Sequence, residues 1–309
     1  MSLRFSAFAA VAAVVVPAAA EARGAIIDSS ALDGLALAQL RHLAEDARRV
    51  DPEPFDEIAR LAMAMPAMDA QKRGRIAPVA RSLKNLGPEA LPALLSAIAL
   101  HGESGEGWTP TARVAWQAGL LEAVGELADG RAVAVLDAVL AKRPADYLVM
   151  RAAVVARAWL GDAAGTAQLV TLASVEGPHR TAALAGIGYT RRVEAAKVLA
   201  EAAAESMNVE RSLAVIEALS DVGNAWVWPL ITDVRRADEA PIRHLAASAL
   251  VDLHLRLGGD LGRRAANALL VVADDTTPAV IEAARARGGD RAALEALSRR
   301  VEKNPLRTR

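Results

Sequence analysis

Between Val149 and Ala173 the chain reads VMRAAVVARAWLGDAAGTAQLVTLA. Val149, Ala152, Ala153, Ala156, Trp159 and Leu160 recur at the i, i+3, i+4, i+7 spacing of one buried helical face. Gly161-Asp162 interrupts the pattern, and Gly165, Leu169, Leu172 and Ala173 resume it. The spacing predicts two short helices folded back to back. A hairpin of that size cannot bury its own apolar stripe, so it requires copies of itself on either side.

Three marks supply the copies. An Arg near the start of a helix, followed by small residues, recurs at Arg113, Arg151, Arg180, Arg211 and Arg243, with gaps of 38, 29, 31 and 32 residues. That is the length of a helical hairpin repeat. Glycines follow as helix stops at Gly130, Gly161, Gly188, Gly223, Gly258-Gly259 and Gly288-Gly289. A Pro opens a second helix at Pro92 and at Pro229, where the lost N–H has no helical partner in any case. Ahead of the regular units, Leu32 to Val50 reads as one helix, Phe55 to Met65 as another ended by Pro66, and Ile76 to Leu83 as a third. This front section departs from the repeat, as a cap does, and so does the last unit, where Val280 takes the place of the Arg.

Val149 to Ala173 is similar to the HEAT family, above all its short HEAT-like subtype found in bilin (PBS) lyases, whose units run V-R-x-A-A-x-x-A-L-x-x-L-G-D into an apolar second helix. Thr111 to Leu140, Val209 to Val234 and Ile242 to Val272 carry less of that motif, and the resemblance spans about residues 70–303. It implies an all-α fold, an α-solenoid in which antiparallel helix pairs stack into a right-handed superhelix. The second helices would line a concave side. Residues 23–86 would form an N-terminal helical cap, 87–303 the repeat array, and 304–309 a disordered tail.

Aromatic residues are only 3% of the chain and alanine dominates the helical faces, so close helix approach rather than bulky side chains should build the core. Met1 to Arg4 carries one positive charge, Phe5 to Val16 is an apolar run, and Pro17 leads into AAAEA. This is the layout of a secretory signal peptide over residues 1–22, cleaved after Ala20 or Ala22. The run is short for a bilayer span, which needs about 20 residues. The expected location is therefore a bacterial periplasm or exterior. With no Cys there is neither a disulfide nor a lipid-bearing N-terminal Cys.

Candidate chemistry is sparse. The fixed phase of the Arg ladder favours a structural role, each guanidinium bonding turn carbonyls or an Asp such as Asp129, Asp162 or Asp221; a row of cations for an acidic ligand is the alternative. Arg192, Arg235, Arg236, Arg263 and Arg264 fall on or beside second helices, and with Trp228 they are the expected contact residues for a protein or peptide partner. Trp226 and Trp228 are two apart and cannot share a helical face, so one belongs to the core. From Arg285 to Arg309 eight Lys or Arg stand against three Asp or Glu, a possible peripheral contact with anionic lipid or polymer of the envelope. A net charge of −1 argues against a nucleic-acid binder. The five His form no H-E-x-x-H or His-Glu pair, unlike the metal-dependent hydroxylases built on such repeats, and no nucleophile elbow or phosphate loop occurs. No metal, no cofactor and no catalytic residue is expected. The reading is an exported, non-enzymatic binding scaffold, with an envelope enzyme or lyase-like accessory factor as its rival.

Overall fold

The computed structural model describes residues 24–305 except 104, so the expected signal peptide (1–22) and residues 306–309 lie outside it. Among the described residues the fold is all-helical, with no strand. The helices are α1 (Gly34–Val50), α2 (Glu53–Ala70), α3 (Val79–Lys84), α4 (Leu91–Ala99), α5 (Pro110–Leu127), α6 (Val133–Lys142), α7 (Tyr147–Trp159), α8 (Ala163–Ser174), α9 (Arg180–Ile187), α10 (Val193–Ala204), α11 (Val209–Gly223), α12 (Glu239–Leu257), α13 (Gly259–Val272), α14 (Thr277–Ala286) and α15 (Arg291–Glu302). Among these described residues, no helix is long and apolar enough to cross a membrane.

Contacts run between helices two apart. One rank joins α3, α5, α7, α9, α11 and α13; another joins α8, α10, α12 and α14. Missing side chains bring the first rank together. A Cβ on Gly125 would lie 2.7 Å from the Cα of Ala156, so α5 and α7 touch backbone to backbone. Gly188, in a 3-10 turn at the end of α9, approaches the Ala218 carbonyl of α11 in the same way, at 2.6 Å from its would-be Cβ. That glycine was read as a helix stop, a role glycine commonly fills by taking positive φ. Its φ is −57°, and the left-handed residue of the turn is Arg191, with φ +49°. Gly161 does take positive φ, and Asp162 then caps α8 by accepting from the Gly165 amide at 2.8 Å.

After α11 the chain departs from the expected pairing. The segment that should form a second helix around Pro229 makes only two short 3-10 turns, Trp228–Leu230 and Val234–Asp238. The place of that helix is taken by α12, which had been read as the first helix of the next unit. Near its end Arg256 donates to the carbonyls of Ala203 and Ala204 at the end of α10, so α12 runs alongside α10 in the same direction. Near its start Arg243 donates to the carbonyls of Val272 (3.0 Å) and Ala273 (2.5 Å) at the end of α13, which joins the rank of α11. Trp228, in the first of the two 3-10 turns, is wholly buried. The Arg mark therefore switches rank between Arg211 and Arg243.

At the front, α2 does not end at Pro66 but continues to Ala70. Pro66 forfeits one helical hydrogen bond, while fully buried Met65 before it and Asp69 after it hold the helix in place. The Asp69 carboxylate accepts from Lys72, Thr109 and Thr111, fastening the end of α2 to the start of α5. Residues 24–27 lie along the end of α4, where the amides of Ala25 and Ile26 donate to Ala97 and Ile98 carbonyls. Lys142, the last residue of α6, donates to the Ile26 carbonyl at 2.7 Å. At the other end Asn304 is buried, and its side-chain amide donates to the Leu270 carbonyl at 2.7 Å.

Candidate functional site

A groove of 380 Å³ crosses the first rank, lined by Ile76 and residues of α3, α5 and α7 and closed by Tyr189 in the turn after α9. Its floor is small and aliphatic because α5 and α7 approach so closely: Ala118, Gly125, Ala152 and Ala156 leave no bulk between them. On one wall Lys84 stands between Glu122 (3.3 Å) and Glu126 (3.2 Å). Burial works against the lysine's charge, but the two carboxylates outweigh it and raise its pKa. The other wall carries Leu148, Arg151, Val155, Trp159 and Tyr189.

Trp159 was read as core, yet it is 38% exposed. It ends α7, where the helical face turns out of the stack, and its ring packs 5.7 Å from that of Tyr189. Behind both rings lies Arg191, only 5% exposed, its guanidinium carbon 5.8 Å from each ring centre. Its Nε is buried with no partner, and its Nη1 donates to the Tyr189 carbonyl at 3.3 Å. Burial pulls the Arg191 pKa down, with the Asp221 charge opposing. Burial likewise pushes Asp221 up, against a hydrogen bond from Tyr189 and the charges of Arg191 and Arg151.

The ladder arginines divide. Arg180 is buried, donates to the Ala173 carbonyl at 2.9 Å and pairs with Glu176 and Glu205. Arg211 reaches the same Glu176 at 3.2 Å, Arg243 adds Glu239 at 2.9 Å to its two carbonyls, and Arg113 donates to the Gly105 carbonyl at 3.2 Å. None of these four pairs with Asp129, Asp162 or Asp221, the partners expected. Asp162 is instead bound by Arg157, an arginine no repeat mark singled out, which is 2% exposed and also donates to Asp137 at 2.7 Å. The Asp162 pKa falls, held down first by that hydrogen bond from Arg157. Arg151 makes no hydrogen bond and no ion pair among the described residues.

The expected contact residues do not form one surface. Trp228 is 0% exposed, a core residue and no partner contact. The more exposed member of the pair is Trp226, at 55%. Arg192 donates to the Gly161 carbonyl at 2.8 Å and Arg235 packs over the same glycine while binding Asp233, so these two converge on the turn between α7 and α8. Arg236 binds the Trp228 carbonyl and Glu239. Arg263 and Arg264 are exposed and share Asp260 in the first turn of α13. All five cations are tied to local acceptors, which tertiary packing decides and periodicity does not show.

A wider groove of 610 Å³ opens where α6 and α8 stand apart, lined by Leu140, Arg143, Leu172, Val175 and the 176–180 turn. Its buried cation, Arg180, is already bound to two glutamates. A pocket of 210 Å³ beside α4 holds Ser96 and His101, whose Oγ and Nδ1 are 3.5 Å apart, too long for an activated nucleophile. Among the described residues no group of three His, Asp or Glu is placed to hold a metal ion. No protein-family model, no curated protein and no solved structure matches the chain.

Proposed function

We propose that this chain is an exported α-solenoid of HEAT-like helix pairs that binds a segment of a protein or peptide in the groove over α3, α5 and α7. The observation that carries the reading is the groove's make-up. A rigid aliphatic floor lies between a half-exposed tryptophan with its tyrosine neighbour on one side and a charged wall on the other. Aromatic anchors beside pre-formed apolar surface hold a segment at little ordering cost, and ligand pockets begin at about 300 Å³. The contact surface moves from the second helices to the first rank, and from Trp228 to Trp159. Helix pairs recurring at 29–38 residues, with helices two apart in contact, support the solenoid. The leader-like start of the chain supports export, and N-terminal sequencing of the protein from culture would read a new terminus after Ala20 or Ala22.

A photocrosslinking residue placed at Val155 in the tagged full chain, in cells, tests the binding site; one at exposed Met63 is its control. The expected result is one product from Val155 that is absent from Met63 and lost on Trp159→Ala. Identical products at both positions, or products indifferent to Trp159→Ala, would refute the groove.

A further inference from the structure

The two walls of the groove carry opposite charge. On the α3–α5 wall two glutamates share one lysine, and Glu126 is the more exposed of the pair. On the α7 wall Arg151 is half-buried and lines the groove with no acceptor among the described residues, alone in this among the five ladder arginines. A guanidinium offers five donors in a fixed fork that matches a carboxylate. Behind it the nine-tenths-buried Arg191 has an unpartnered Nε, and two cations here face the single carboxylate of Asp221. On the same α7 wall stand Val155 and Trp159.

We infer that the groove selects a peptide segment bearing an acidic group for Arg151, an apolar side chain for Trp159 and Val155, and a basic group for Glu122 and Glu126. This rests on the peptide-binding reading above and names the ligand chemistry of the same site. A volume of 380 Å³ admits a few side chains and not a folded domain. The acid can only add bonds to Arg151, since it displaces no partner there. The base joins a wall whose two carboxylates outnumber its lysine. Reversing the segment's charges would set like against like on both walls.

The test pans a randomised peptide library on the immobilised full chain, and in parallel on Arg151→Gln, Arg151→Lys and Trp159→Ala, each checked by thermal melting. Peptides enriched on the unaltered protein should combine acidic, apolar and basic residues. Arg151→Gln should lose the acidic enrichment and keep the basic one, while Arg151→Lys should retain both. A resynthesised winner should bind roughly tenfold more weakly with its acidic residue changed to the amide. Comparing its free and amidated C termini separates a side-chain carboxylate from a terminal one. Acidic enrichment that is absent, or unchanged in Arg151→Gln, would overturn the inference and leave the groove standing. No enrichment over Trp159→Ala would overturn the peptide-binding reading itself.

Discussion

Removing the Asp162 carboxylate should destabilise the protein through two separable effects. The side chain caps α8 at the Gly165 amide, 2.8 Å away, and it also receives both terminal nitrogens of Arg157. Loss of an N-cap costs about 1 kcal/mol. Loss of a charge-assisted pair costs about 1.5–3 kcal/mol, and the lower end applies because the Asp162 side chain is 42% exposed to screening solvent. Arg157 keeps Asp137, so it is not left wholly uncompensated. Asp162→Ala should therefore cost about 2–3 kcal/mol and Asp162→Asn, which still caps, about 1–2 kcal/mol. In an Arg157→Met background, where an apolar chain of similar reach fills the buried site, Asp162→Asn should cost under about 0.5 kcal/mol. Urea unfolding of the four proteins gives the cycle, and hydrogen exchange of the α8 amides gives the local effect if unfolding proceeds in more than one step. Equal losses for Asp162→Asn in both backgrounds would refute the buried pair.

The remaining expectations use other contacts. Asp162 and Glu205 both have pKa values lowered, chiefly by hydrogen bonds from Arg157 and Arg180. Their stabilisation is complete above the ordinary carboxylate value of about 4 and is lost as pH falls through the lowered folded values; thermal melts of Asp162→Asn/Glu205→Gln should show a flatter acid limb than the unaltered protein. Trp228→Ala should cost about 3–5 kcal/mol by emptying a closed site, whereas Trp159→Ala should cost under about 1.5 kcal/mol, a contrast read by denaturation midpoints. Gly188→Ala should cost about 1–3 kcal/mol, because its Cβ would meet the Ala218 carbonyl at 2.6 Å and push α9 from α11. Arg243→Met should cost about 2 kcal/mol and raise exchange at the end of α13, where two carbonyls lose their donor.

The existence and spacing of the helices were legible because apolar periodicity is local. From Val149 to Ala173 both helices and the break at Gly161-Asp162 fall where the spacing puts them, and the structure adds the Asp162 cap. The candidate site was not legible, for three physical reasons. Trp159 sits on the apolar stripe by period, but the last turn of α7 leaves the stack, so the same residue that looks like core forms a groove wall. The repeat mark singles out Arg151 and passes over Arg157, yet the fold gives Arg157 two bound carboxylates and leaves Arg151 without an ion pair among the described residues. Trp228 was expected as a contact residue at the start of a second helix. A proline-containing loop of 3-10 turns replaced that helix and carried the ring inside. Sequence did contain the hint that one of two tryptophans two apart must be buried, without saying which.

The rank change after α11 bears on how this chain tolerates duplication or loss of its units. Excision of residues 180–210 would remove α9 with α10 and reconnect α8 to α11, restoring up-down alternation. An excision one residue longer, residues 211–242, would join α10 to α12, two helices that point the same way and lie side by side, with only a few residues to travel the full length back. The arginines marking both cuts look alike. A cut at the earlier pair of marks should leave helices of opposite rank joined, whereas a cut at the later pair joins two of the same rank, so of these two excisions only the one on the N-terminal side of Arg211 keeps the alternation.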